Sequence, residues 1–398
     1  MINNHKIITD DFCEISGLLQ SITDDTFYDF AKHDIVPGGI YIFSRQQFWE
    51  NISYIKQLTE DNTIKVIFAN PAEGADTIYW QLRSLGILEL VRQRKILIVS
   101  GGYMSPDIPC MIYEHFLVQI HNYKENHQAI KQYKATKQYA CDRFYNRPFK
   151  FLFLNGRART HRKYLLERFR ANGLLDQSLW TNLDPRHCGS FRILEWYDHG
   201  DELLPQYTPN QDFHKTPFPI QSLPTEYEVS RYRAQSNLTP SESNEDMYVK
   251  RYLFNNEWGE IYLEPKPYLD TYFSLVTETT FDYRYSFRTE KIWKPIAIGH
   301  PWIAAGNAGY YRDMQNLGFK TFGHLIDESF DSIDVPLDRC ARIAEVVEDL
   351  CKQDLDAFLT AADDVCKHNQ ERMTELHLQL PRELVERFIN YVSENFSL

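Results

Sequence analysis

The sequence lacks the short motifs that mark the best-known nucleotide, protease and hydrolase sites. It contains no GxxxxGK followed by Ser or Thr, no GxGxxG, no HExxH and no GxSxG. These absences remove the strong signals for P-loop nucleotidases, Rossmann-type dehydrogenases, zinc proteases and α/β-hydrolases. Histidines and cysteines are not grouped at zinc-binding spacing, and Asp354 and Asp356 lie within a helical pattern. We therefore expect no protein-bound metal and no resident cofactor.

The chain also lacks a positive net charge, a long apolar run and a leader pattern. Its formal net charge is −12 over 398 residues, which opposes broad adhesion to nucleic acids or anionic membranes. No apolar run reaches the roughly 18 residues that suggest a membrane-spanning helix, and the first residues show no signal pattern. Seven cysteines without a CxxC pair are typical of reduced thiols. The sequence therefore predicts a cytoplasmic protein without a transmembrane segment.

Residues 1–148 are predicted to form an N-terminal Rossmann-like domain. Hydrophobic residues make up 43% of the chain, enough for a packed core. Short apolar runs predict buried strands at residues 39–43, 64–70, 95–102 and 116–121. The segments between the first of these runs have helical spacing. Alternation of strands and helices is typical of a parallel sheet with helices on both faces.

A second domain is predicted over residues 149–379. It opens with a strand at 149–156 and a helix, continues through a long irregular stretch at 200–250, and resumes the alternation at 271–279. The final segment, 380–398, has the spacing of an amphipathic helix, which we expect to cross back to the first domain. The predicted fold is therefore α/β, with two doubly wound, Rossmann-like domains facing a cleft. In such sheets ligands bind at the carboxyl ends of the strands, so residues directly after strands are the first functional candidates.

The first candidate site is the segment NGRARTHRKYLLERFR, which is strongly basic in an acidic chain. Arg159, Arg162 and Lys163 fall where a predicted strand gives way to a helix. The backbone N–H groups and positive dipole of a helix N-terminus favour an anion, whereas basic side chains there cost about 0.3–1 kcal/mol each. A bound phosphate would reverse that cost, so we interpret this turn as a phosphate site. A solvated basic face is the alternative, and it fits the later Arg168 and Arg170 best.

The second candidate site is the stretch RTEKIWKPIAIG. Thr289 is placed to cap a helix that Gly299 ends, so that Glu290 and Lys291 lie in its first turn. A lysine at this helix end opposes the dipole unless an anion binds, and a neighbouring carboxylate can accept hydrogen bonds from a ribose diol. These residues predict a nucleotide, with Lys291 on its diphosphate and Glu290 on its sugar hydroxyls. Upstream, Glu278 follows a predicted buried strand and is expected at the same site, with an ordinary loop carboxylate as the alternative.

The stretch YFSLVTETTFDYRYSFRTEKIWKPIAIGHPWIAAG resembles the donor-binding motif of the α-1,3-fucosyltransferase family, with the match mainly over residues 271–306. The matching positions are Glu278, Asp282, Tyr283, Thr289, Glu290, Lys291, Ile292, Trp293 and Gly299. The segment FLFLNGRARTHRKYLL is similar to a second family feature, in which a strand ends in Asn before an Arg that opens a helix. Asn155 and Arg162 stand at those positions.

The resemblance implies a GT-B fold and inverting, metal-independent glycosyl transfer from a nucleotide sugar. In that family the Lys and the Arg hold the diphosphate and the Glu before the Lys holds the ribose, which implies these roles for Lys291, Arg162 and Glu290. The donor would be a GDP-sugar, with fucose as one candidate for its sugar, or alternatively a UDP-sugar. The acceptor would be a hydroxyl of a glycan or small molecule, bound on the side of the N-terminal domain. Our candidate bases are Glu73, which follows a predicted strand and has helix capping as its alternative role, and Glu278.

Three other functions stay open. A glycosyltransferase acting on nucleic-acid bases would have the same donor site but would need a basic acceptor groove, which the acidic chain disfavours. A non-catalytic glycan- or anion-binding protein could stack sugars on some of the 25 Tyr, 25 Phe and 7 Trp side chains. A kinase or another nucleotide-dependent α/β enzyme is the third, although the P-loop is missing.

Overall fold

The structure is a computed structural model that describes most of the chain. The described residues are 6–10, 15, 18, 26–27, 34–72, 78, 82–102, 108–126, 147–157, 159–184, 263 and 266–396. They fall into two compact units, one drawn from Met1–His115 with Glu375–Leu398 and the other from Phe116–Thr374. We call these unit 1 and unit 2.

Unit 1 contains one parallel sheet and short helices. Its strands are β1 (Ile7–Thr9), β2 (Thr26–Phe27), β3 (Ile40–Phe43), β4 (Lys65–Asn70), β5 (Ile96–Ser100) and β6 (Cys110–Ile112). Its helices are α1 (Arg45–Glu50), α2 (Ile52–Leu58) and α3 (Leu88–Arg92).

Unit 2 contains a second parallel sheet and longer helices. Its strands are β7 (Phe149–Arg157), β8 (Leu179–Asp184), β9 (Thr271–Thr277) and β10 (Trp302–Ala305). Its helices are α4 (His115–Asn126), α5 (Thr160–Ala171), α6 (Lys266–Leu269), α7 (Glu290–Ile298), α8 (Tyr310–Asn316), α9 (Pro336–Leu350) and the first part of α10 (Leu355–Phe396). Two short 3₁₀ helices lie at Leu175–Gln177 and Ser329–Ser332.

The unit 1 sheet has six strands in the order β2-β1-β3-β4-β5-β6, and every neighbouring pair is parallel. Each residue of β3, β4 and β5 is buried, which means that both faces of the sheet are covered, as parallel sheets require. This explains why these strands read as continuous apolar runs rather than as alternating patterns. The core on one side includes Phe48 of α1, whose ring stacks on that of Phe68 at 4.1 Å between centroids.

The unit 2 sheet has the order β10-β9-β7-β8 and is also parallel throughout. Aromatic rings fill the space between this sheet and α5. Phe151 of β7 stacks on Phe273 of β9 at 5.5 Å, and Phe169 of α5 meets Phe151 edge-on at 5.6 Å. The packing fixes α5 against the two strands whose ends carry the candidate site.

The α/β prediction with two parallel, doubly wound sheets is confirmed, but one predicted strand is wrong. Residues 116–121 belong to the helix α4, and the last strand of unit 1 is instead β6. Phe116, Leu117 and Ile120 are buried, a spacing that a helix also produces, and so short an apolar run does not distinguish the two structures. The irregular stretch predicted at 200–250 lies outside the described residues.

The C-terminal helix is longer than the sequence indicates. A proline normally ends a helix, and we expected a separate helix over 380–398, yet α10 runs for 42 residues with Pro381 inside it. Leu376 before the proline and Leu384 and Phe388 after it are all buried, so one face of the helix stays apolar across the interruption. None of the helices in the described part of the chain combines the length and apolar character needed to cross a membrane.

Candidate functional site

The carboxyl ends of β7 and β9 form the topological switch point of the unit 2 sheet. β7 lies between β8 and β9, so the chain leaves β7 toward one side and later returns on the other, and such points are where open α/β sheets bind ligands. Two buried polar side chains mark this point, Asn155 near the end of β7 and Thr277 at the end of β9. The Thr277 hydroxyl donates a hydrogen bond of 2.9 Å to Asn155 Oδ1. The two strand ends are therefore joined by side chains as well as by the sheet.

Arg162 and His161, in the first turn of α5, bind the backbone at the end of β9. The Arg162 Nη2 group donates to the carbonyl oxygens of Thr277, at 2.7 Å, and Glu278, at 3.1 Å. His161 Nε2 lies 3.1 Å from the Glu278 carbonyl oxygen, so this nitrogen carries the proton. Burial, together with the charges of Arg162 and Arg159, lowers the pKa of His161 well below its usual value. His161 is therefore a neutral hydrogen-bond donor, and the basic turn fixes the loop after β9.

Glu278 is fully buried directly after β9, and its carboxylate is bound by three donors. Oε1 accepts from the Thr289 amide at 3.2 Å and from the Tyr310 hydroxyl at 2.8 Å, and Oε2 accepts from the Thr289 hydroxyl at 2.6 Å. Burial raises the pKa of Glu278, although the charge of Lys291 and these hydrogen bonds act in the opposite direction. In this arrangement the Glu278 carboxylate positions Thr289, the residue that immediately precedes α7. The predicted catalytic role of Glu278 stays a prediction.

Helix α7 begins as its sequence indicates. Thr289 is the N-cap, with its side-chain oxygen accepting from the Lys291 amide, and Gly299 ends the helix with a left-handed φ of 75°. The Lys291 ammonium lies 2.6 Å from Glu290 Oε1 and 3.1 Å from the Thr289 hydroxyl. The side chains of Lys291 and Glu290 are 22% and 15% exposed, respectively. Both side chains therefore keep part of their surface open to solvent.

The charges of two lysines decide the ionisation of Glu290. Burial by itself raises the pKa of this carboxyl, but the charges of Lys291 and Lys294 outweigh that effect, and the net pKa lies below its ordinary value. Glu290 is therefore an anion at neutral pH. As an anion it can accept hydrogen bonds from hydroxyl groups, which is the chemistry that a ribose diol needs.

A continuous series of hydrogen bonds joins most of the residues predicted from the sequence. It runs from Asn155 to Thr277, through Arg162 to the loop at Glu278, and from the Glu278 carboxylate to the residues of the helix α7 start, Thr289, Lys291 and Glu290. These residues come from three separate stretches of sequence and meet at the carboxyl ends of β7 and β9. The structure thus gathers the predicted donor residues around the switch point of unit 2.

Three further predicted residues have different positions. Arg159 is half-buried and immediately precedes α5. Tyr283 is half-buried in the loop after β9, and its ring meets that of Tyr285 edge-on at 5.7 Å. Glu73, the predicted base, lies outside the described residues.

Arg339 of α9 is a buried residue of this region that sequence reasoning missed. Its guanidinium donates to the carbonyl oxygens of Phe281, Gly306 and Ile333, and it lies 4.5 Å from the centre of the Phe281 ring. The Phe281 ring also stacks on the ring of His161, at 4.6 Å between centroids. Burial lowers the pKa of Arg339 to about 10, so it stays charged. The sequence does hold one sign of this role: Arg339 has helical spacing with Ile343 and Leu350, and all three lie on the buried face of α9.

Arg168 is not part of the site. Its guanidinium makes two hydrogen bonds to the carboxylate of Glu348, at 2.6 and 2.9 Å. This ion pair joins α5 to α9, whereas Arg170 is exposed, as a solvated basic face requires. Among the described residues, no group of three or more His, Cys, Asp or Glu side chains is arranged as metal ligands would be.

No protein-family model matches the chain, and no curated protein matches it either. Among solved structures, the chain is similar to an α,α-trehalose 6-phosphate synthase from Burkholderia multivorans. The two are 11% identical with a TM-score of 0.40, over 90% of this chain and 72% of the other. At this level of likeness we draw nothing about activity from that protein.

Proposed function

We propose that this chain is a glycosyltransferase that binds a nucleoside-diphosphate sugar at the switch point of unit 2. The observation that carries the proposal is the partly exposed Lys291–Glu290 pair at the start of α7. The buried Glu278 and Thr289 hold this pair at the carboxyl end of β9. A cation and an anion held side by side at the carboxyl ends of these strands suit a ligand that carries a diphosphate and a ribose diol.

Lys291 binds the diphosphate in this proposal. The positive end of the α7 dipole favours an anion at the same place. Together they stabilise the negative charge that develops on the leaving nucleoside diphosphate. When the donor binds, Lys291 exchanges its contact with Glu290 for the phosphates, and Glu290 accepts hydrogen bonds from the ribose hydroxyls.

Arg162, Asn155, Arg159 and Tyr283 complete the proposed donor site. Arg162 is bound to two carbonyl groups and buried at the strand ends, where its charge adds to that of Lys291. Its direct contact with the diphosphate remains a proposal, as do the donor contacts of the other three residues. Asn155 helps to hold the ends of β7 and β9 together by accepting the hydrogen bond from Thr277.

The finer features of the reaction rest on the resemblance of residues 271–306 to the α-1,3-fucosyltransferase family. They are a GT-B arrangement, inversion at the anomeric carbon, independence of a metal, and a GDP-sugar donor that carries fucose or another sugar. In the transfer, the acceptor hydroxyl gives its proton to a base, its oxygen bonds to the anomeric carbon, and the bond from that carbon to the diphosphate breaks. We propose Glu73 as the base.

Calorimetric titration with GDP, UDP, ADP and TDP in a chelator tests the donor site. We expect one nucleotide to bind the wild type, and Lys291→Ala to weaken it roughly 10-fold to 100-fold, the usual effect of losing hydrogen bonds to a charged group. Lys320→Ala is the matched control, because Lys320 is an exposed lysine of the same unit. Failure of all four nucleotides to bind, or equal binding to wild type and Lys291→Ala, would disprove the assignment.

The same titrations separate the roles of the two charges. Glu290→Gln keeps the size of the side chain and removes its charge, so we expect weaker binding of the nucleotide but little change in the binding of inorganic pyrophosphate, which lacks ribose. Lys291→Ala is expected to weaken both ligands. Release of free nucleotide from the matching nucleotide sugar then distinguishes an enzyme from a binding protein.

A further inference from the structure

Tyr310, the first residue of α8, is a buried side chain that reaches the candidate donor site from another part of unit 2. It is 1% exposed, and its hydroxyl donates a hydrogen bond of 2.8 Å to Glu278 Oε1. Among the described residues, the other two donors to this carboxylate are the amide and the hydroxyl of Thr289. Tyr310 therefore attaches the Glu278 side chain to an element other than the start of α7.

The hydroxyl of Thr289 connects this carboxylate to the charged pair of the site. It donates to Glu278 and lies 3.1 Å from the Lys291 ammonium. That ammonium in turn lies 2.6 Å from Glu290 Oε1. With bonds to Thr289 alone, the carboxylate and Thr289 could shift together, whereas the bond from Tyr310 fixes both relative to α8. The position of the charged pair therefore depends on Tyr310.

The start of α8 is itself held by a residue from another segment. Gly309 is the N-cap, with a φ of 79°, and it has no side chain that could accept from the first turn. Asp331, in the second of the two 3₁₀ helices, takes this role. Its carboxylate accepts from the amides of Tyr311 and Arg312, at 2.9 and 3.2 Å, and its carbonyl oxygen accepts from the Gly309 amide at 2.8 Å. Asp331 thus fixes the helix turn that carries Tyr310.

We propose that Tyr310 is a positioning residue of the donor site. Through Glu278 it holds the charged pair at the start of α7 in place, and Asp331 fixes the turn that carries it. Binding of a nucleoside diphosphate by this pair rests on the proposed function, but the hydrogen bonds that hold the pair do not. A change at α8 therefore alters both the setting of Lys291 and the affinity for the nucleotide.

Trace acylation of lysine amines, measured by mass spectrometry, tests the positioning without any ligand. An ammonium held by Glu290 and Thr289 acylates slowly, because only the free amine reacts. We expect Tyr310→Phe to raise the labelling of Lys291, relative to the exposed Lys320 of the same molecule, by about 2-fold to 10-fold, the factor that the net loss of one hydrogen bond gives. The calorimetric affinity for the nucleotide that binds the wild type should fall by a similar factor.

Tyr311→Phe is the matched control. Tyr311 follows Tyr310 in α8 and is 2% exposed, and its hydroxyl accepts from the Ala304 amide at 2.8 Å. Its loss removes a buried hydrogen bond of the same helix that does not involve Glu278. We expect Tyr311→Phe to keep the wild-type labelling of Lys291 and the wild-type nucleotide affinity, whereas a merely structural role of these hydroxyls predicts the same effect in both tyrosine variants.

Further variants test the route from α8 to the charged pair. In the Glu278→Ala background, Tyr310→Phe should have no additional effect, whereas an effect through any other contact of Tyr310 would persist. Asp331→Ala should raise the labelling of Lys291 as Tyr310→Phe does, and Asp331→Asn, which keeps one acceptor oxygen, should raise it less. If Tyr310→Phe does not fold, Asp331→Asn carries the test.

The outcomes separate this proposal from the proposed function. Labelling of Lys291 that rises in Tyr310→Phe but not in Tyr311→Phe supports the positioning, even if no nucleotide binds and the transferase proposal fails. Equal labelling of the wild type and Tyr310→Phe, equal increases in the two tyrosine variants, or an effect that persists in the Glu278→Ala background overturns it. Raised labelling with an unchanged nucleotide affinity overturns the link to the donor site.

Discussion

Glu278 offers the sharpest test of how the site is built. Its carboxylate accepts hydrogen bonds from the Thr289 amide, the Thr289 hydroxyl and the Tyr310 hydroxyl. Glu278→Ala leaves three buried donors without an acceptor, at about 1–2 kcal/mol each, while release of the buried carboxylate offsets part of this loss. We therefore expect the free energy of unfolding to fall by about 2–4 kcal/mol.

Glu278→Gln separates the shape of the side chain from its charge. The glutamine oxygen can accept from the Thr289 amide and Tyr310, and its NH₂ group can donate to the Thr289 hydroxyl, so we expect a change within about 1 kcal/mol. Because burial raises the pKa of Glu278 above its ordinary value of 4.5, the folded wild type holds this proton more tightly than the unfolded chain. Its stability relative to Glu278→Gln should therefore fall as the pH rises from near 4.5 through the raised pKa.

Denaturant unfolding followed by the fluorescence of Trp293 and Trp302, both buried in unit 2, measures these changes. Glu371→Ala is the control, because Glu371 is exposed in the same unit, and its effect should stay within about 0.5 kcal/mol. A loss in Glu278→Ala no larger than in this control, or an equal loss in Glu278→Gln and Glu278→Ala, would refute the positioning role. A catalytic role predicts instead that Glu278→Gln keeps nucleotide affinity and loses turnover.

Two further predictions concern residues that support this region. Arg339→Lys keeps the charge but loses the guanidinium group that donates to three loop carbonyls, so chemical unfolding should show that the free energy of unfolding falls by about 2–4 kcal/mol. Arg342, which is partly exposed, is the control, and Arg342→Lys should change the free energy of unfolding by less than about 1 kcal/mol; similar losses in the two variants would contradict the structure. Gly299→Ala and Gly173→Ala both place a side chain at positive φ, at about 1–2 kcal/mol each. A Cβ on Gly299 would also meet Gln370 Oε1 at 2.8 Å, whereas one on Gly173 has nothing within 4 Å. Thermal unfolding should therefore show a larger loss for Gly299→Ala, and removing the Gln370 side chain in the Gly299→Ala background should recover the excess; no recovery would rule out the clash.

Local patterns were sufficient for much of the fold and for part of the site. The buried strands β3, β4, β5, β7 and β9 could be predicted because fully buried parallel strands are continuous apolar runs. Short apolar segments were the exception, since the run at 116–121 is a helix and β6 went unpredicted. The same local reasoning found the cap and the end of α7, because each depends on a single residue type at a fixed place.

Contacts between distant segments could not be predicted in the same way. The hydrogen bond between Arg162 and Thr277 joins residues 115 positions apart, and the one between Arg339 and Phe281 joins residues 58 positions apart. No local pattern specifies which carbonyl a buried arginine will meet, because the partner is set by how helices pack on the sheet. The sequence predicted a phosphate site at the basic turn but not that Arg162 donates to the carbonyl groups at the end of β9, and the phosphate contact itself stays a prediction.

The sequence by itself determined the α/β class, the helix start at Thr289 and Glu290, and the polar residues after the strands, since these follow from hydrophobic period, capping and turn chemistry. Only the tertiary structure decided the strand orders, because parallel strands are joined by long crossovers that do not specify their neighbours. Strand order in turn decided which strand ends lie side by side. That is why Asn155 and Thr277 meet in unit 2 and Asp10 and Ser44 meet in unit 1.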